Sequence, residues 1–107
     1  MIGNILQNIP ENLPEELFTQ LLEADGVKVE RIVSDGQVSP PDFWYDQPQS
    51  EWVLLLEGEA HLSLEKEKQV EKIILLKGDY LLILPHQRHR IDFTHSTQKT
   101  IWLAIHF

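Results

Sequence analysis

The sequence predicts a single all-β domain of sandwich or barrel type. From Val27 onward, apolar residues recur at every second position in short runs. Turn signals ("EG", "KEKQ", "KGD", "PHQR", "THSTQK") separate these runs at intervals of about eight to twelve residues, the spacing expected of packed antiparallel strands. The run "WVLLL" (52–56) is apolar on both sides of a strand, so both faces need cover.

Residues 1–12 place Asn, Gln, Pro and Glu between isolated apolar residues and are expected to form an arm or a short edge strand. One short N-terminal helix is predicted next. Asn12 can cap it, Pro14 suits the first turn, Glu15 and Glu16 suit the positive end of the dipole, and Gly26 stops it. Leu17, Phe18, Leu21 and Leu22 share one face at three- and four-residue spacing, as in a helix laid over the end of a larger body. "VKVERIV" is then a strand and "SDG" (34–36) a turn. "QVSPPDFWYDQPQ" is a loop or irregular edge, because its three prolines cannot donate to a ladder. The remaining strands are "EWVLLLE", "EAHLSLE", "VEKIILL", "YLLIL", "HRIDF" and "TIWLAIHF". One domain is expected over 1–107, with arm and helix in 1–26 and the β-structure in 27–107.

Composition narrows the function. The 107 residues are 42% hydrophobic and 24% charged, which suits a folded core. A formal charge of −8 with nine scattered Lys and Arg argues against nucleic acid and against an anionic membrane surface. There is no cysteine, which excludes disulfides, thiolate nucleophiles and zinc–thiolate sites. The N-terminal stretch does not read as a signal peptide, and no apolar run approaches the ~18 residues of a membrane span. A soluble, cytoplasmic protein is the expectation. No nucleophile-elbow, phosphate-loop, His-Glu-x-x-His or dinucleotide motif is present.

Glu51 raises the sharper question, because a carboxylate opens a strand that continues as Val53 and Leu55 on its own side. It is either a solvated strand end or an acid aimed into a pocket. His89 poses the same question. Alternation puts Ile91 and Phe93 on its side and the charged Arg90 and Asp92 on the other. Arg88 and Arg90 are expected to point outward and pair with carboxylates. His61 and His106 read as hydrogen-bonded strand residues. Trp44, Trp52 and Trp102 read as core or interface anchors, and Phe43, Trp44 and Tyr45 can also line a pocket mouth.

The chain resembles the cupin superfamily in two motifs. Glu51 is followed by Gly58 at the spacing of the first motif, in "EWVLLLEG"; the second is matched by "GDYLLILPHQRH", with Gly78 at its start and His89 at the histidine position. The resembling segments cover residues 36 to 107. The resemblance implies a cupin double-stranded β-helix, or jelly-roll, barrel. It also implies a homodimer and a divalent metal held by the first motif's His-x-His and glutamate and the second motif's histidine. Here Tyr45 and Gln47 stand at the His-x-His positions, and Leu84 and His86 replace the usual proline and glycine. The implied metal set is therefore Gln47, Glu51 and His89, with Tyr45 and His86 as ligand-binding candidates. An amide, a carboxylate and one imidazole suit manganese, iron or magnesium, and zinc less well. The expected function is metal and small-organic-ligand binding in the barrel interior, with metal-assisted chemistry if the protein is an enzyme. The alternative is a non-enzymatic binding or structural module without metal.

Overall fold

The computed structural model describes residues 2–107. Eight strands follow in order: β1 (Leu17–Ala24), β2 (Val27–Ser34), β3 (Glu51–Glu57), β4 (Glu59–Lys66), β5 (Gln69–Leu76), β6 (Tyr80–Ile83), β7 (His89–Thr94) and β8 (Thr100–His106). They form a five-stranded sheet in the order β1-β2-β8-β3-β6 and a three-stranded sheet in the order β5-β4-β7. All pairings are antiparallel. The core lies between the sheets and is built on Val53, Leu55, Ala60, Leu62, Leu75, Trp102 and Ala104. No helix of the described residues is long and apolar enough to cross a membrane.

The expected N-terminal helix is replaced by β1, and the described residues contain no helix. Leu17 to Ala24 pair with β2, from Leu17 opposite Val33 to Ala24 opposite Val27. Asp25 and Gly26 form the two-residue turn between them, both at positive φ (49° and 79°). An Asp-Gly pair suits such a hairpin, because both positions of the tight turn need the left-handed region. Ten residues or so are too few for an isolated helix, whereas a hairpin gains a ladder and a sheet edge. The apolar spacing survives through a bulge between Gln20 and Leu22, which re-aims the strand.

Alternation holds in β3: Glu51, Val53 and Leu55 are buried inward, while Trp52, Leu54 and Leu56 are half-buried on the outer face. It fails in β7. A register shift places Ile91 opposite Leu62 and Phe93 opposite His61. Phe93 therefore leaves the side of His89 and packs its ring 4.6 Å from the outward His61. The proline-rich loop runs along β7 as an irregular edge. Tyr45 N–H donates to the His89 carbonyl at 2.7 Å, His89 N–H donates back at 3.1 Å, and Ser39 N–H donates to the Ile91 carbonyl. Arg31, buried on the outer side of β2, donates to the carbonyls of Ile5 and Gln7 and so pins the arm to the sheet.

Gly58 turns β3 into β4 at φ +92°, and a Cβ there would lie 2.5 Å from Thr100 Oγ1 and 2.7 Å from Thr100 Cα. Both the backbone conformation and the close approach require glycine. Gly58→Ala is expected to lower unfolding stability by about 2 kcal/mol or more, read from the urea midpoint.

Candidate functional site

A cavity opens between the two sheets, with about 570 Å³ of empty space including its mouth. Its enclosed part is about 80 Å³, room for a few waters or a small ligand group. Its apolar wall comes from Ile32, Val53, Leu62 and Ile83, and its polar lining comprises Glu16, Glu30, Tyr45, Gln47, Glu51, His89 and His106. Each enters by a local rule. Glu51 and His106 are direct cross-strand partners on β3 and β8, so their side chains share the inner face. Glu30 lies on β2 beside β8. Tyr45 and Gln47 come from the loop clipped to His89.

Two imidazole–carboxylate pairs differ in kind. His106 Nε2 lies 2.9 Å from Glu30 Oε1, a closed hydrogen bond. His89 Nε2 lies 3.7 Å from Glu51 Oε1, beyond hydrogen-bond range, with the two side chains only 6% and 10% exposed. His89 Nδ1 is 3.0 Å from the Gln87 carbonyl. A carbonyl only accepts, so Nδ1 carries a proton, and Nε2 is the ring nitrogen that faces the cavity and Glu51. Tyr45 stacks on the His89 ring at 5.3 Å between centroids and 21° between planes, which holds the imidazole plane.

With Nε2 unprotonated, this pair offers a cation two donor atoms across the gap. The second ring nitrogen held by a backbone carbonyl is also how metal-binding histidines are oriented. Among the described residues, no three His, Asp or Glu side chains gather closely enough to hold a metal unaided. Glu51 and His89 are a pair that could hold a divalent ion, and Gln47 lines the same cavity.

Burial pushes the Glu51 carboxyl up from its ordinary pKa, only partly offset by His106 and His89. Burial also raises Glu16, against the hydrogen bond it accepts from Ser34. The Tyr45 phenol is raised by burial and by the charges of Glu16 and Glu51.

No family model matches the chain, and no curated protein matches it. Solved structures do. A protein of Ralstonia eutropha JMP134, provisionally named a mannose-6-phosphate isomerase, is 42% identical over 99% of this chain and 96% of its own, with a TM-score of 0.90. A cupin superfamily protein of Desulfitobacterium hafniense DCB-2 is 22% identical over 92% of this chain and 83% of its own, with a TM-score of 0.73. The chain belongs to the cupin superfamily. Hydroxypropylphosphonic acid epoxidase of S. wedmorenis shares the fold at 17% identity over 89% of this chain and 52% of its own, with a TM-score of 0.72.

In this cupin, four sequence candidates (Tyr45, Gln47, Glu51 and His89) line one cavity. His86 does not join them: it is exposed at φ +60°, with Nδ1 2.8 Å from Asp46. Arg88 and Arg90 point outward to Glu65 and Asp92. Both guanidinium groups lie near the Trp44 ring, at 5.3 and 6.0 Å, so Trp44 is a surface platform. Trp102 is in the core. Glu16, Glu30 and His106 were not singled out as cavity residues. Only Glu30 left a signal: in "VKVERIV" it shares a strand face with Ile32 and Lys28. Glu16 reads in the sequence as a helix-start residue, and His106 faces the cavity through strand pairing that the sequence does not display.

Proposed function

We propose that this cupin binds a divalent metal ion (manganese, iron, magnesium or zinc) and a small organic ligand in the cavity between its sheets. The observation that carries this is His89: its Nδ1 is committed to Gln87 and its Nε2 faces a buried carboxylate that receives no hydrogen bond from a described residue. Glu51 and His89 would hold the ion, Gln47 would add an amide oxygen, and Tyr45 would keep the imidazole plane fixed. The bound ion would act as a Lewis acid on a ligand oxygen. The chain's own part is to orient that oxygen, exclude bulk water with Ile32, Val53 and Leu62, and keep Glu51 charged once the cation is present. Structures of HppE with Fe(II) and with Co(II) share this fold, which supports metal chemistry in such a cavity. Untagged protein dialysed against EDTA is expected to take up about one Mn²⁺ per chain by calorimetry. No heat and no gain in melting temperature would favour the second reading. That reading, a metal-free ligand-binding module, is supported by the lack of a third strong donor among the described residues.

The same reading includes a homodimer. Trp52, Leu54, Tyr80, Leu82, Leu103 and Ile105 share the outer face of the five-stranded sheet through direct cross-strand pairing. Tyr80 and Leu82 are 61% and 47% exposed. A contiguous apolar face of this kind marks an interaction surface. The occupant is a second copy, because an uncharged patch is where two chains of −8 meet with the least repulsion, and a two-fold contact uses one patch twice. Sedimentation is expected to give a dimer at tens of micromolar, and Leu82→Lys a monomer with its fold intact. A wild-type monomer at that concentration would contradict it.

A further inference from the structure

We infer that the cavity takes a small organic cation, an ammonium group on a short apolar stem, and excludes phosphate and phosphonate ligands. The inference rests on reading this cavity as the ligand site, but not on the metal.

Three carboxylates reach the cavity from three separate elements: Glu16 from the segment before β1, Glu30 from β2 and Glu51 from β3. No lysine or arginine is among the residues lining it. The nearby Lys28 is 41% exposed and sits 3.7 Å from Glu30 Oε2. Glu30 is therefore occupied on both oxygens, by Lys28 and by His106. Glu16 and Glu51 are not. The Glu51 carboxylate is nine-tenths buried and accepts no hydrogen bond from a described residue, so its oxygens are open to a ligand or to water in the cavity. Glu16 accepts from Ser34 through Oε2, and Ser34 is held in turn by the Trp102 indole N–H at 3.2 Å. That chain fixes the carboxylate in place and leaves Glu16 Oε1 without a described donor.

With Glu30 paired to Lys28, two carboxylates remain unbalanced in the metal-free cavity, and a divalent ion at Glu51 and His89 would offset them. A phosphate dianion would enter the metal-free cavity against that charge, and without the guanidinium or ammonium groups that normally receive it. An ammonium group meets the free oxygen of Glu16, beside Tyr45 and Trp102, which line the same cavity. Its stem lies against Ile32, Val53 and Ile83. Glu16 is then the residue that sets charge specificity.

The test is a ¹H–¹⁵N NMR titration of EDTA-treated protein with propylammonium, 1-propanol and propylphosphonate, three probes alike in size and unlike in charge. Propylammonium is expected to shift Tyr45, Gln47 and the Trp102 indole, and to bind at least about tenfold more tightly than propylphosphonate. Glu16→Gln is expected to remove that preference, and the surface control Glu11→Gln to keep it. Equal or tighter binding of the phosphonate, or an ammonium preference unchanged in Glu16→Gln, would overturn the inference. A parallel Mn²⁺ titration reports the metal reading separately, by paramagnetic broadening at Gln47, Glu51 and His89. Broadening without ammonium preference sinks the inference alone. Ammonium preference without broadening sinks the metal reading and upholds the inference.

Discussion

His89→Ala is expected to weaken Mn²⁺ binding by about 100-fold or more, while His95→Ala leaves it unchanged. The size follows from geometry. Among the described residues His89 Nε2 is the only imidazole nitrogen within 4 Å of a Glu51 oxygen, and His106 Nε2 is already bonded to Glu30. Changing even the partners behind a ligand costs about 10–100-fold in metal affinity, and removing the ligand itself costs more. His95 is a fair control: it lies outside the cavity, 3.4 Å from Glu59, and shares with His89 only its residue type. Calorimetry on both variants gives the comparison. Equal affinity in His89→Ala and wild type would remove His89 from the site.

Glu51→Gln is expected to pull stability and binding in opposite directions. Burial raises the Glu51 carboxyl, so the folded state holds its proton to higher pH than the unfolded chain does. The sign follows from linkage. Stability contributed by the protonated acid is fully present below the unfolded carboxylate range and is lost as pH rises through the raised folded value. At neutral pH the metal-free protein thus carries a desolvated charge that no described residue hydrogen-bonds. Glutamine keeps the shape without that charge, so the variant is expected to gain about 1 kcal/mol at pH 7, with the gain shrinking toward pH 4. Mn²⁺ binding is expected to be abolished in the same variant. Glu16, also raised by burial, adds to this slope, whereas Asp92 works against it. The Asp92 carboxyl is held low by Ser63, Arg90 and Lys72, which outweigh its partial burial. Urea unfolding of wild type and variant from pH 4 to 8 measures the effect. A variant less stable than the metal-free wild type at pH 7 would show that Glu51 is favourably paired inside the protein.

What the sequence displayed, and what it hid, divides along one physical line. Spacing within a strand was readable. Glu51 shares its side with Val53 and Leu55, Gly58 follows where the backbone must go left-handed, and His89 sits with Ile91. The Asp25–Gly26 turn was readable too, but the helical spacing of Leu17, Phe18, Leu21 and Leu22 concealed it. A bulged strand imitates that spacing, and the turn chemistry decides the matter. Contacts between strands distant in sequence were not displayed. His106 reaches the cavity because β8 lies between β2 and β3, and Phe93 changes face because β7 shifts register against β4. Glu16 and Glu30 carry no site signal in the sequence, because a polar residue on a strand face or at a helix start normally reads as solvated. Here the polar end of the inner face is the cavity itself.

The central claim is that Glu51 and His89 face each other in order to hold a divalent cation. An anomalous difference map from crystals grown with Mn²⁺ tests it most directly. The account predicts one peak between the two side chains, roughly 2.2 Å from His89 Nε2 and from a Glu51 oxygen. A map with no peak there, and His89 Nε2 bonded instead to Glu51 or to an ordered water, would contradict it.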